Sequence, residues 1–260
     1  MREYALAGSE TGQSPHAATL PGYRRVLRVE PAPGSVTALL EDDLHCMAVR
    51  LQHDGCTVSR VEPVMQRVPW TTCPGAVPAL VRTFEGVALA EVTAKRDKPL
   101  NCTHLHDLAV IAARHAGDGD AIEYRIAVSD PEEVDGAQER LLEIGRNASL
   151  VHRWVERDGV LVSPPGLAGH TALSLRDWIA ALPEPEREAA RLLQWGSLVA
   201  HGRQMDDARR QASLAYRPSC FTMQPERVGD ARMAGGIHDF SRGGRQPLEN
   251  LGTALTPACP

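Results

Sequence analysis

The chain has 260 residues, 43% of them apolar, with 28 basic and 33 acidic side chains and a formal charge of −5. That length and apolar share exclude a disordered or fibrous protein, and a pI near 6.1 argues against a nucleic-acid scaffold. No run of about 18 apolar residues is present, and the N-terminus has no basic region followed by an apolar stretch, so neither a spanning helix nor a signal peptide is expected.

Residues 1–22 mix Gly, Ser, Thr, Pro and Gln without periodicity and are expected to be a flexible tail. Tyr23 to Glu30 alternates as a strand and closes at Pro31-Ala32-Pro33-Gly34. In Val36 to Gln52 the alternation begins at Leu44, which places His45 on one face with Met47, Val49 and Leu51. His53-Asp54-Gly55 predicts a hairpin turn, with CTVSRVEPVMQRV as the returning strand. A helix is predicted after Trp70, with Thr72 or Cys73 as cap, Pro74 early and Gly86 as stop. A second helix starts near Thr103 and buries Leu105, Leu108, Ile111 and Ala112. Residues 121–162 read as an antiparallel meander with a tight turn at Arg157-Asp158-Gly159. From Leu173 the pattern is helical, broken by Pro183 and Pro185, and from Tyr216 it has loop chemistry. The predicted class is α+β, with antiparallel sheets and segregated helices. One compact domain over residues 23–215 is expected, with subdomains 23–118 and 119–215 as an option and a loop-rich segment over 216–260.

Three segments concentrate reactive side chains: EDDLHC (41–46), RVPWTTCPG (67–75) and NCTHLHD (101–107). The last two place Cys73 and His104 at predicted helix starts, where free N–H groups stabilise a thiolate or oxyanion. His104 and His106 lie on opposite helix faces, so they cannot share a metal; His104 is the candidate, with Asp107 to orient it and His106 toward solvent. His45 is either a satisfied core histidine or a pocket base. The run Glu41-Asp42-Asp43 reads as a solvated strand entry or a carboxylate pair, with Asp43 as a substrate-binding candidate. Lys95 and Lys98 are the only lysines, so arginines carry nearly all positive charge and suit planar anions such as carboxylates or phenolates. Six cysteines include no C-x-x-C pair, and in a cytoplasmic chain they are expected to be reduced. Walker A, G-x-G-x-x-G, G-x-S-x-G and H-E-x-x-H motifs are all missing from the sequence, which removes support for nucleotide, dinucleotide and familiar hydrolase readings.

LEDDLHCMAVRLQHDG, RVPWTTCPGA and NCTHLHDLAVIAARHA, with the weaker SCFTMQPERVGDARMAGGIHDF, resemble a proteobacterial family catalogued as a domain of unknown function. The resemblance runs over about residues 23–240, and some members look like lignin-dimer γ-formaldehyde lyases. It implies a cofactor-independent lyase in the cytoplasm. A base would take the γ-hydroxyl proton, formaldehyde would leave, and an oxygen at the α or β carbon would be expelled as the stilbene forms. The catalytic candidates are His45, His104, Cys73 and Tyr124, with Tyr124 as proton donor or slot wall. The substrate-binding candidates are Arg50, Arg67, Trp70, Thr72, Asp43 and Thr103, with Arg50 or Arg67 on the phenolate. The expected partner is a small aromatic substrate, without nucleic acid or membrane; a homodimer is admitted, and no metal or cofactor is expected. The competing readings are a small-molecule-binding or accessory protein with structural Cys and His, and a zinc or iron–sulfur protein using Cys73, Cys102, His45 and His104.

Overall fold

A computed structural model describes residues 16–95, 97–214 and 219–249. The chain is an α+β protein built on a nine-stranded antiparallel sheet. Its strands are β1 (Gly22–Ala32), β2 (Ser35–Asp42), β3 (Cys46–His53), β4 (Val58–Arg67), β5 (Ile122–Ser129), β6 (Glu132–Val134), β7 (Ala137–Arg146), β8 (Ser149–Arg157) and β9 (Val160–Ser163). The order is β4-β3-β2-β1-β5-β7-β8-β9, with β6 paired to β7. Pairing of β1 with β5 joins the segments before and after residue 118 into one sheet.

Alternation assigns the two faces. Along β1, Tyr23, Leu27 and Val29 face the main core, while Val26 joins Leu39, Cys46, Ala48 and Leu248 on the other face. Arg25 has the same parity as the core-facing residues and is fully buried, with consequences for the site described below. Of the helices, α1 (Val77–Phe84) packs on β4, and α2 (Leu89–Val92) touches α3 (Thr103–Arg114). In turn α3 lies across β2 and β3, burying Leu105, Leu108, Ile111 and Ala112. The other helix on this layer is α5 (Glu186–Ala200), over β5, β7 and β8, flanked by α4 (Arg176–Ala181); α6 (Asp207–Ser213) and α7 (Pro225–Val228) follow. Gly196 lets α5 approach closely, since a Cβ there would lie 3.0 Å from Ile126 Cγ2.

Turn chemistry sets the hairpins. Asp54 Oδ1 accepts from Cys56 N and Thr57 N, and Gly55 takes φ +93°. Asp158 and Gly159 take φ +48° and +81°, as a two-residue hairpin with the native strand twist requires. Within Val36–Gln52, where alternation is expected from Leu44, there are two strands: β2 ends at Asp42, and residues 43–45 form the turn into β3. The break is local, because Asp42 Oδ1 accepts from the backbone N–H of Leu44 and His45, an arrangement that ends a strand.

The segment expected to be a flexible tail is partly packed: Ala17 is buried and its N–H donates to Glu143, whereas residues 1–15 lie outside the described residues. The C-terminal segment is loop-rich but well anchored over 219–249, where Thr222, Ala231, Phe240 and Leu248 are buried. No helix among the described residues is long and apolar enough to cross a membrane. Gly22 starts β1 against β5, and a Cβ there would meet backbone atoms of Val128 and Ser129. Gly22→Ala is therefore expected to cost about 1–3 kcal/mol of overpacking, read from urea unfolding.

Candidate functional site

The Asp42 turn assembles a cluster of charged and aromatic groups between β1, β2, α3 and α5. Asp42 is fully buried and accepts six hydrogen bonds. Oδ1 takes the N–H groups of Leu44 (2.8 Å) and His45 (2.7 Å) and faces His45 Nδ1 at 3.0 Å. Oδ2 takes the Tyr23 hydroxyl (2.8 Å) and Arg25 Nε and Nη2 (3.0 and 2.6 Å). Burial alone would raise this carboxyl, but His45, Arg25 and the hydrogen bond from His45 outweigh it and hold Asp42 well below the usual carboxylate range.

An ionised carboxylate only accepts, so Nδ1 of His45 donates to it and Nε2 is the ring nitrogen turned away from Asp42. That atom makes no hydrogen bond among the described residues. His104, in the first turn of α3, stacks on His45 with ring centroids 3.8 Å apart and planes 28° apart. Its Nε2 lies 3.3 Å from Arg25 Nη2; a guanidinium only donates, so His104 accepts there and is neutral with its proton on Nδ1. Burial, then His45 and Arg25, push the His104 pKa well below 6.5. Trp195 from α5 closes the cluster, 5.0 Å from the His104 ring and with the Arg25 guanidinium 4.5 Å from its ring centroid. Arg25 Nη1 is buried and has no hydrogen-bond partner among the described residues.

Folded His104 refuses a proton that the unfolded chain accepts below about pH 6.5, so this residue makes the native state lose stability as pH falls. Wild type should thus lose stability relative to His104→Gln between about pH 7 and pH 5, by up to about 1.4 kcal/mol per pH unit in urea unfolding.

Asp42, His45 and His104 bring one donor atom each within 4.8 Å of one another, a grouping that can be considered for a metal ion. Two features oppose that use. Lone pairs of imidazoles lie in the ring plane, and stacked rings send them nearly parallel instead of converging on one ion. Arg25 also occupies Asp42 Oδ2 and approaches His104 Nε2, so a cation already holds the position. The arrangement fits acid–base chemistry better: an oriented imidazole with a free Nε2, and a buried guanidinium with an unused N–H, share one carboxylate.

The acidic run is not a solvated strand entry. Glu41, Asp42 and Asp43 are all buried, and each binds different arginines. Glu41 pairs with Arg67 and Arg245, while Asp43 accepts from Arg203 Nη1 at 2.7 Å and from Arg24 N at 3.2 Å. Burial pushes the Asp43 carboxyl up to about 7 against the pull of Arg203. Arg203 also binds Asp130 and Asp239.

Arg67 donates to the Asp42 carbonyl at 2.8 Å, behind the cluster. Arg50 lies further along β3, bonded to Thr37 and 3.9 Å from Glu62. Tyr124 is fully buried, donating to Glu188 and accepting from Arg146, and burial and Glu188 push its phenol far up. Thr103 opens α3 and is half-buried, and Asp107 pairs with Lys98 at 2.7 Å instead of orienting His104. His106 does not face solvent: it is buried beside Phe84, neither ring nitrogen has a hydrogen bond among the described residues, and Nδ1 lies 3.7 Å from an Asp107 oxygen.

Trp70 and Cys73 form a separate cluster with Leu214 and Ala231, and Thr72 bonds Thr222 at 3.1 Å. Cys73 begins a short 3-10 stretch (Cys73–Ala76), 3.5 Å from the Thr222 hydroxyl, with Thr72 before it making no side-chain cap. Burial raises the Cys73 thiol and pushes Cys102 up to about 12, so dehydration overrides the helix-start effect expected to favour a thiolate. None of Trp70, Thr72 and Cys73 has a hydrogen bond or ring contact with the histidine pair among the described residues.

Arg25 and Trp195 complete the site without having been candidates, and Asp42 was weighed only within the acidic run. The signal for Arg25 was a charged residue on the apolar parity of YRRVLRVE, and that for Asp42 was the D-x-x-H spacing of a side-chain-capped turn.

Residues 30–117 match a family model described as "Protein of unknown function (DUF2889)", which supports a domain of unknown function over that stretch. The matched segment contains Asp42, His45 and His104 but stops short of Arg25 and Trp195. No curated protein and no solved structure matches the chain.

Proposed function

We propose that this chain is a cofactor-independent carbon–carbon lyase that works on a small aromatic molecule by general acid–base chemistry. The observation that supports this reading best is the pairing, on one buried carboxylate, of His45 with an Nε2 and Arg25 with an Nη1 that have no hydrogen-bond partner among the described residues. The motif resemblance supplies the finer substrate, a lignin-derived dimer with a γ-hydroxymethyl group. His45 Nε2 takes the γ-hydroxyl proton. The Cβ–Cγ bond breaks and formaldehyde leaves, and the electron pair becomes the Cα=Cβ bond of the stilbene. The oxygen on Cα departs with that step as phenolate or hydroxide and recovers the proton from His45. No electron is gained or lost overall, so the reaction balances without a redox partner. Arg25 Nη1 would stabilise the developing oxyanion, and Trp195 would wall the aromatic slot.

The test is an aerobic incubation of the full chain, without added cofactor, with β-5 and β-1 dimers. Formaldehyde and stilbene should appear in equal amounts. A silent panel with stoichiometric metal in the same protein would replace this reading with a metal protein. Silence without metal, but with saturable ligand binding, would replace it with a binding or accessory protein.

A further inference from the structure

Two clefts meet along α5. One, of about 260 Å³, is walled by Val110, Ile111, Leu192, Trp195 and Leu198. The other, of about 570 Å³, is lined by Arg114, Arg146, Arg187 and Arg191 with Tyr124 and His115. Arg114, Glu188 and Arg191 border both, so an apolar slot opens directly onto an arginine-rich mouth.

The carboxylates at this mouth are already engaged. Glu188 binds the Tyr124 hydroxyl (2.7 Å), His115 Nε2 (2.8 Å) and Arg114 Nη1 (3.2 Å). Glu184 lies 3.4 Å from Arg114 and 3.8 Å from Arg187, and Asp118 is 2.7 Å from His115. Two guanidinium groups remain over. Arg146 bonds only the Tyr124 hydroxyl, at 3.2 Å, and Arg191 has neither hydrogen bond nor ion pair among the described residues. Arg187 and Arg191 are one helical turn apart, and burial together with Arg114 and Arg187 lowers the Arg191 pKa, so positive charge is crowded here. A guanidinium fork matches a planar carboxylate at two points, and the slot beside it suits a ring.

We propose that the double cleft binds an aromatic carboxylate, with its ring in the slot against Trp195 and its carboxylate on Arg191 and Arg146. Trp195 walls this slot and also closes the histidine cluster, so the proposal deepens the lyase reading by naming an acid-bearing aromatic as the substrate class. It rests on that reading for turnover only, since binding is measured without it.

The probes are trans-cinnamate and cinnamyl alcohol, which differ in the charged group, and inorganic phosphate, which has charge but no ring. Calorimetry on the full chain should give cinnamate about tenfold tighter than the alcohol or phosphate. Arg191→Ala should weaken cinnamate by about tenfold and leave the alcohol unchanged, with Arg191→Lys in between. His45→Ala should bind cinnamate as wild type does, so lost turnover with kept binding separates the two readings. Equal affinity for acid and alcohol, or cinnamate binding that is indifferent to Arg191→Ala, would overturn the proposal. Phosphate binding as tightly as cinnamate would overturn it too, as it would leave the slot without a role.

Discussion

Asp42→Ala is expected to destabilise the fold by about 3–5 kcal/mol, the cost of leaving a buried charge without its partner. The Arg25 and Asp42 side chains are both 0% exposed, so the arginine would keep the 3.3 Å contact to His104 and its places over Trp195 and Tyr23 but no carboxylate. Removing Asp42 also takes away the carboxylate oxygen that accepts from the backbone N–H groups of Leu44 and His45 and shapes the turn. Asp42→Asn separates the two effects, because an amide oxygen can still accept from the turn but carries no charge for Arg25. It should cost less than alanine. The double replacement Arg25→Met with Asp42→Leu should recover much of the loss, as an apolar pair of similar size often does in place of a buried ion pair. Urea unfolding at neutral pH reads all three, and an Asp42→Ala protein within about 0.5 kcal/mol of wild type would contradict the buried-pair picture.

His45→Ala is expected to lower turnover by about 10²–10⁴-fold while the protein stays folded, the range supplied by a positioned general base. The ring lies in a turn and holds no backbone group, and Asp42 would retain its bonds to Tyr23 and Arg25. Trp195→Leu should act differently, raising KM more than it lowers kcat, because the residue walls the slot without holding a proton. A His45→Ala protein with intact turnover would remove the imidazole from the reaction.

Periodicity made much of the fold legible. Alternation in YRRVLRVE, the Asp-Gly turns, the apolar stripe of α3 and the proline pair before α5 all correspond to elements of the structure. The β2–β3 boundary was not legible, because apolar side chains continue through LLEDDLHCMAV and only the Asp42 side chain marks the turn. Half of the site was equally plain: His45 and His104 stood out as reactive groups beside secondary-structure starts. Their partners did not. Arg25 and Trp195 are distant in sequence, and only the β1–β2 pairing and the packing of α5 over the sheet bring them to the histidines. Cys73 looked reactive for its place at a helix start and Cys102 as a metal ligand, but burial, which spacing does not report, raises both thiols. Glu41 and Asp43 looked solvated because their arginine partners, Arg67, Arg203 and Arg245, lie 26 to 204 residues away.

The most direct test of the Asp42–His45 dyad as the reaction centre is chemical rescue. His45→Ala would be incubated with a dimer that wild type converts, and formaldehyde release followed as imidazole is added. Release should be slow without imidazole and rise in proportion to it, as free base fills the space left by the ring. Release at the wild-type rate with no imidazole present would contradict the assignment.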